Sequence, residues 1–267
     1  MEYTAKNIVT IRTPDGGIAR LECHDSLPST AALAKEYAKA GYPDRYVVFS
    51  EQLEYTKESA NHKLTVHKKG GVYLSCILRP AIYTSQARLI PHMATVAFVK
   101  ALEEHTANEL GIGWIGDVFC GGKKVGGVTL EGKFNSDYGF EYIIVSFAVG
   151  LDKQIFPPRL TDMIRKVFES ENNSISMIIA KNVLEKFFPL LEDIKTPTKF
   201  MDTYNSKFVQ RNQKIKYNAD GKRRSGRILN VDTADGSLIV EENKNIFHLC
   251  SVGGVYIKNR FRKKQVR

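Results

Sequence analysis

The residues Gly121-Gly122-Lys123-Lys124-Val125-Gly126-Gly127-Val128-Thr129-Leu130-Glu131-Gly132 combine types that can handle an anion. Two glycine pairs flank a lysine pair, and an alternating strand pattern follows, with Val125, Val128 and Leu130 apolar and Thr129 and Glu131 polar. Gly121-Gly122 supplies the positive backbone angles of a tight hairpin turn. Gly126-Gly127 removes side chains where another body would approach the backbone. A lysine held at a strand start beside bare backbone meets a carboxylate or a phosphate as a compact point charge. The competing reading of the same residues is a surface hairpin with solvated lysines.

The elements that must hold this strand are legible from hydrophobic period. Residues 7–12 and 18–22 alternate around Asp15-Gly16-Gly17, a hairpin signal. Ser29-Thr30 precede a helical stripe of Leu33, Ala34, Tyr37 and Ala38, and either hydroxyl can cap that helix. Tyr46-Val47-Val48-Phe49 reads as a buried strand, residues 53–69 as a mobile polar loop, and residues 70–78 as a second apolar strand ended by Arg79-Pro80. A helix is expected over 91–105, strands near 112–119, 124–131 and 141–149, and helices over 158–168, 175–191 and 199–208. Five short strands follow, at 213–217, 224–231, 236–241, 245–250 and 254–258, split by Asp220-Gly221 and Asp235-Gly236 turns. Strands and helices followed by an all-β module give an α+β fold with a mixed sheet and a small C-terminal barrel.

Charge divides the chain at the same place. Residues 211–267 hold 14 Lys+Arg and 5 Asp+Glu, hence +9, and the remaining residues share the last +1 of the total +10. The expected organisation is a domain over 1–210 and a basic module over 211–267, and the asymmetry raises nucleic acid or an acidic protein as a partner. No apolar run approaches the roughly 20 residues needed to span a bilayer. The acidic start Met1-Glu2-Tyr3-Thr4 lacks the apolar core of a signal peptide, so a cytoplasmic protein without a membrane association is the default. Cys23, Cys76, Cys120 and Cys250 are scattered, make no zinc pattern, and are expected as free thiols.

Several segments together resemble the biotin–protein ligases. Asp25-Ser26-Leu27-Pro28-Ser29-Thr30 before a helix resembles their Ser-Thr motif, and Phe49-Ser50-Glu51-Gln52 the strand end with a ligand-facing glutamine. Gly70-Gly71-Val72-Tyr73-Leu74-Ser75 resembles the core strand after their glycine-arginine loop. Gly113-Trp114-Ile115-Gly116-Asp117 falls where the family has Lys-Trp-Pro-Asn-Asp, and residues 124–131 resemble the catalytic-lysine strand. Val149-Gly150-Leu151-Asp152 stands where Gly-Ile-Asn is usual, and the terminal module resembles the family's SH3-like barrel. The resemblance covers roughly residues 20–258. It implies a biotin/lipoate-ligase-like mixed sheet and an ATP-dependent attachment of biotin, through biotinyl-adenylate, to a lysine of a carboxylase carrier domain.

The roles the resemblance implies are these. Lys124 is catalytic, between the biotin carboxylate and the phosphate. Ser29, Thr30, Gln52, Gly71, Tyr73, Gly126 and Gly127 line the ligand site, and Trp114, Asp117 and Asp152 the nucleotide side. Biotin and Mg-ATP are substrates, with no tightly bound metal. The carrier domain is the partner, a homodimer or hetero-partner is left open, and no DNA-binding domain is expected before residue 20. Each residue also has a plainer role: Ser29 or Thr30 a helix cap, Gln52 a strand end, the glycines a bulge, Trp114 core, Asp117 a turn acid.

The departures concentrate on the ATP side. The loop over 53–69 has no glycine and no arginine; Thr56 and Glu58 take the positions nearest Gln52, and Lys57, Lys63, Lys68 and Lys69 are its cations. An acid there repels phosphate, and lysine does not reproduce arginine's bidentate fork. Gly113, Gly116 and Asp152 replace a cation and two amides. Two readings compete with an active ligase: a non-catalytic ligase-fold protein serving ligand binding or assembly, and a nucleic-acid binder using the basic module and its tail. The lipoate-ligase and octanoyl-transferase group shares the fold, but the Ser-Thr start and the terminal barrel fit biotin ligases better.

Overall fold

A computed structural model describes residues 5–54, 70–135, 139–151, 174–219, 221–250 and 256–257. Most of the polar loop over 53–69, Asp152, the expected helix over 158–168 and the basic tail lie outside the described residues.

Eight strands make one mixed sheet in the order β1-β2-β3-β4-β8-β7-β6-β5. They are β1 (Asn7–Arg12), β2 (Ile18–Leu27), β3 (Tyr46–Leu53), β4 (Gly71–Leu78), β5 (Leu110–Gly113), β6 (Asp117–Cys120), β7 (Lys123–Asn135) and β8 (Gly139–Gly150). Only β2 and β3 pair in parallel, and α1 (Thr30–Lys39) provides the crossover between them. The single strand expected near 112–119 is two strands. Gly116 breaks it with φ +85° where residues 114–116 turn the chain back on itself, so that Gly113 pairs with Asp117.

The two faces of this sheet are packed differently. On one, Leu21, Val47, Phe49, Leu74, Val145 and Phe147 join a core supplied by α3 (Ile90–Glu103) and α4 (Ile175–Leu190). Phe147 meets Phe98 of α3 and Phe187 of α4 edge-on, with ring centroids 5.5 and 5.3 Å away. Helix α3 is buried nearly all round, from Ile90 and Met93 to Ala101 and Leu102, which explains its lack of a polar face. The short α2 (Thr84–Ala87) leads into it, and α5 (Thr198–Ser206) follows α4.

Among the described residues α1 packs on one end of the opposite face, through Leu33, Ala34 and Ala38 against Tyr46, Val48, Ile77, Tyr142 and Ile144. Beneath α1, the buried Glu22 carboxylate sits 2.7 Å from His24 Nε2 and accepts from the Tyr37 and Tyr46 hydroxyls. Burial and the neighbouring Glu22 raise both phenols further above their ordinary range, so they remain donors.

The second sheet is antiparallel, in the order β12-β11-β10-β9-β13. Its strands are β9 (Lys214–Ala219), β10 (Lys222–Val231), β11 (Leu238–Glu242), β12 (Asn245–Leu249) and β13 (Tyr256–Ile257). All five expected C-terminal strands are present, as a sheet left open between β12 and β13 among the described residues. Ile215, Tyr217, Ile228, Val231, Leu238 and Val240 join the same buried cluster as the large sheet.

Candidate functional site

Cross-strand pairing places the chemistry-bearing residues on one surface. Directly opposed residues share a face, and the register runs Ser50–Tyr73–Ala148–Gly127–Asp117 across β3, β4, β8, β7 and β6. This row lies on the face that carries α1. Next to it runs Val48–Ser75–Ser146–Thr129, and on its other side stands the pair Gly71–Gly150.

Lys124 reaches this surface because β7 carries a bulge. Val118 pairs with Gly126, but Phe119 pairs with Lys124, so Val125 is the extra residue. In an unbroken strand Lys124 and Gly126 would point the same way. The bulge separates them. Gly126 stays with Val118 and Val149 on the side of α3 and α4, whereas Lys124 joins Phe119 and Asp117 on the side of α1. Its Nζ lies 2.6 Å from Asp117 Oδ1, with the two side chains 23% and 18% exposed. The ammonium carries three donors, and one carboxylate oxygen leaves capacity for a further anion.

The turn that delivers β7 is the one expected: Gly121 and Gly122 have φ of +54° and +79° between the paired Cys120 and Lys123. The glycines of the site then differ in purpose. A Cβ on Gly127 would fall 2.9 Å from Gly116 O and 3.7 Å from Asp117 Oδ1, so its bare backbone lets the β5–β6 turn close in beside the ion pair. A Cβ on Gly71 would sit 2.8 Å from the Tyr73 ring, which is buried and lies over it. Gly126 is a correction: a Cβ there would lie 2.5 Å from Ala148 O and 3.1 Å from Val149 Cβ, facing the helix layer. It serves sheet packing, on the face away from Lys124.

No family model matches the sequence. The bifunctional ligase/repressor BirA of Bacillus subtilis (strain 168) is 26% identical over 154 residues, which are 57% of this chain and 47% of that protein. The chain thus spans about half the length of that relative. A biotin protein ligase from Aquifex aeolicus, solved with biotin and ATP, superposes with a TM-score of 0.65 at 18% identity, over 90% of this chain and 99% of that one. The chain has the fold of the biotin protein ligases. A biotin protein ligase-like protein of unknown function from Silicibacter sp. matches as well in shape, with a TM-score of 0.64 at 13% identity over 90% of this chain and 96% of that one.

Within this ligase fold the other expected residues are spread. Ser29 caps α1, its Oγ accepting from Ala32 N at 3.2 Å. Thr30 Oγ1 accepts from Ser75 Oγ at 2.9 Å, and Ser75 Oγ lies 2.9 Å from Ser146 Oγ, which seats the helix start on the row beside Tyr73 and Gly127. Gln52 is exposed at the end of β3, while its neighbour Ser50 is fully buried and donates to Gln52 O at 2.6 Å. Trp114 stands apart from these. It is buried, its Nε1 donates to Gly236 O at 2.9 Å, and its backbone N donates to Gln210 Oε1 at 2.8 Å, so it ties the β5–β6 turn to the second sheet. Asp152 lies outside the described residues.

Ser75, Ser146 and Ser50 were not singled out from the sequence. Their signal was a hydroxyl inside an apolar strand, as in Leu74-Ser75-Cys76 and Val145-Ser146-Phe147. Cavities of about 240 and 230 Å³ open elsewhere, one between α3 and the Asp235-Gly236 turn and one beside Leu191 and Ile194; neither is lined by Lys124 or Asp117. Lys124 and Asp117 are part-exposed at one end of the cross-strand row, whereas Ser50, Tyr73 and Gly127 within it are buried. The pair Gly71 and Gly150 beside that row is where the chain enters the undescribed stretches 55–69 and 152–173.

Proposed function

We propose that the sheet face carrying Lys124 and Asp117 binds biotin and ATP and forms biotinyl-adenylate, from which a lysine of a carrier domain takes the acyl group. The observation that carries this reading is the bulge at Val125, which sets Lys124 beside Asp117 and the bare backbone of Gly127. Biotin's carboxylate and the α-phosphate repel each other, and a cation between them offsets that repulsion most as the new bond forms. Lys124 supplies the cation, with Asp117 holding it in place. The carboxylate oxygen then attacks the α-phosphorus and pyrophosphate leaves. In the second step the amine of the carrier lysine attacks the acyl carbon and AMP departs. Thr30, held in place by Ser75, and Ser146 offer the polar contacts of the ligand end.

Among the described residues no three His, Cys, Asp or Glu side chains converge on a metal position. Magnesium fits this site as a companion of the triphosphate, with Asp117 as the neighbouring carboxylate. Bound there, it would spread the charge of the leaving pyrophosphate.

A second reading, binding without adenylation, is favoured by the β5–β6 turn. A Cβ on Gly113 would lie 2.6 Å from the Phe119 ring, and one on Gly116 2.4 Å from Val128 O. The cation and amide that ligases carry there have no room on this backbone. The test is pyrophosphate release and biotinyl-adenylate formation with biotin and Mg-ATP, beside calorimetric titration of biotin alone. Turnover that falls by about 100-fold or more in Lys124→Ala, with the fold intact, supports the ligase reading. Biotin binding with no adenylate supports the second, and turnover unchanged in Lys124→Ala removes the role assigned to that lysine.

A further inference from the structure

The solvent face of the second sheet is strongly charged and unused by the ligase reading. Along β9, Lys214, Lys216 and Asn218 are exposed while Ile215 and Tyr217 are buried. Their cross-strand partners on β10 are Arg227, Ser225 and Arg223, all exposed. Four cations therefore share one face of two neighbouring strands. Lys214 and Arg227 stand directly opposite each other, an arrangement that destabilises a sheet. Glu241, opposite Arg227 on β11, approaches that guanidinium at 2.6 Å. Among the described residues no acidic side chain pairs with Lys214, Lys216 or Arg223. Like charges kept together at a cost to stability mark a functional surface.

Same-face residues along a strand lie about 6.7 Å apart and neighbouring strands about 4.8 Å, so these cations form a close flat grid. Between them rise Asn218 and Ser225, side chains of the kind that contact phosphate oxygens. A protein partner would need an apolar centre to the patch, and neither strand offers one on this face. The chain also leaves β13 beside the Lys214 end of β9, Ile257 pairing with Ile215, and its last ten residues hold six Lys+Arg and no acid.

We propose that this face binds the phosphate backbone of nucleic acid without reading its sequence. The test is fluorescence anisotropy of labelled duplexes of about 24 base pairs and two unrelated sequences, titrated with the full chain at about 50 and about 200 mM salt. Three neutralised phosphates give a salt slope of about −2.7, so affinity should fall about 40-fold between those concentrations, equally for both sequences. The variant Lys214→Gln, Lys216→Gln, Arg223→Gln should bind at least about 10-fold more weakly at low salt and flatten the slope. Lys100→Gln, exposed on α3, should change neither. The proposal is overturned by no binding at low salt, by a slope near zero in the unaltered protein, or by a triple variant that melts and binds like it. Capture of an acidic carrier domain in place of DNA, lost in the triple variant, would overturn it in favour of a protein partner.

Discussion

Lys124 and Asp117 show how one contact fixes a side chain that is ordinarily free to move. A lysine on a hairpin is ordinarily solvated, but here a carboxylate at 2.6 Å fixes the ammonium over bare backbone. The hydroxyls act in the same local way. Ser75 is fully buried and joins Thr30 to Ser146, so Ser75→Ala strips both of a partner in a region closed to water. The expected cost is about 1–3 kcal/mol, read from the urea midpoint at constant slope. A variant as stable as the parent would mean that water replaces the serine and that Thr30 is not held for the ligand. The Lys124→Ala comparison belongs to this scale too, since it removes a charge without touching the core.

At the scale of elements, glycines and one bulge decide which way the strands face. Gly121 turns the hairpin in open space, whereas Gly116 carries φ +85° with Val128 O where its Cβ would be. Val128 N is itself bonded to Gly116 O at 2.7 Å, so that carbonyl strand has little freedom to withdraw. Gly121→Ala should therefore cost about 1 kcal/mol and Gly116→Ala about 3 kcal/mol. Equal losses in chemical denaturation would show that the β5–β6 turn relaxes and that the missing cation and amide could have been accommodated. The Gly121-Gly122 turn was readable because two adjacent glycines before a strand admit few other conformations. The bulge was not, because Val125 looks like any alternating apolar residue until its partners on β6 are known.

At the scale of the whole molecule, the two sheets meet around Trp114, Gln210, Gly236 and His92. His92 is 1% exposed, its ring packs tilted against Tyr204 with centroids 4.8 Å apart, and its Nδ1 donates to Arg88 O at 3.1 Å. Burial lowers its pKa from 6.5 to about 4. Below its ordinary range the unfolded chain takes up a proton that the folded chain refuses, so this group's share of stability is full above about pH 6.5 and is lost as pH falls toward 4. Between pH 7 and 5 the loss should be about 2 kcal/mol. His92→Gln should flatten that slope in urea unfolding, and an unchanged slope would place the acid sensitivity elsewhere. The described helices include none long and apolar enough to cross a membrane.

Composition and period by themselves determined much of this protein. The helix after Ser29, the apolar strands β3, β4 and β8, the Gly-Gly turn before Lys124 and the five short C-terminal strands all follow from local conformational preference and hydrophobic spacing, which act within a few residues. The tertiary structure alone decided which face each residue shows. It split the strand near 112–119 at Gly116, turned Gly126 toward the helices, moved Trp114 to the junction of the sheets, and put Ser50, Ser75 and Ser146 on the same face of the sheet as Lys124. The physical reason is that a side chain's face depends on strand register, and a single extra residue at Val125 inverts it. That inversion is decided by partners on β6 and β8, up to about two dozen residues away in the chain, so no reading of residues 121–132 alone could have found it.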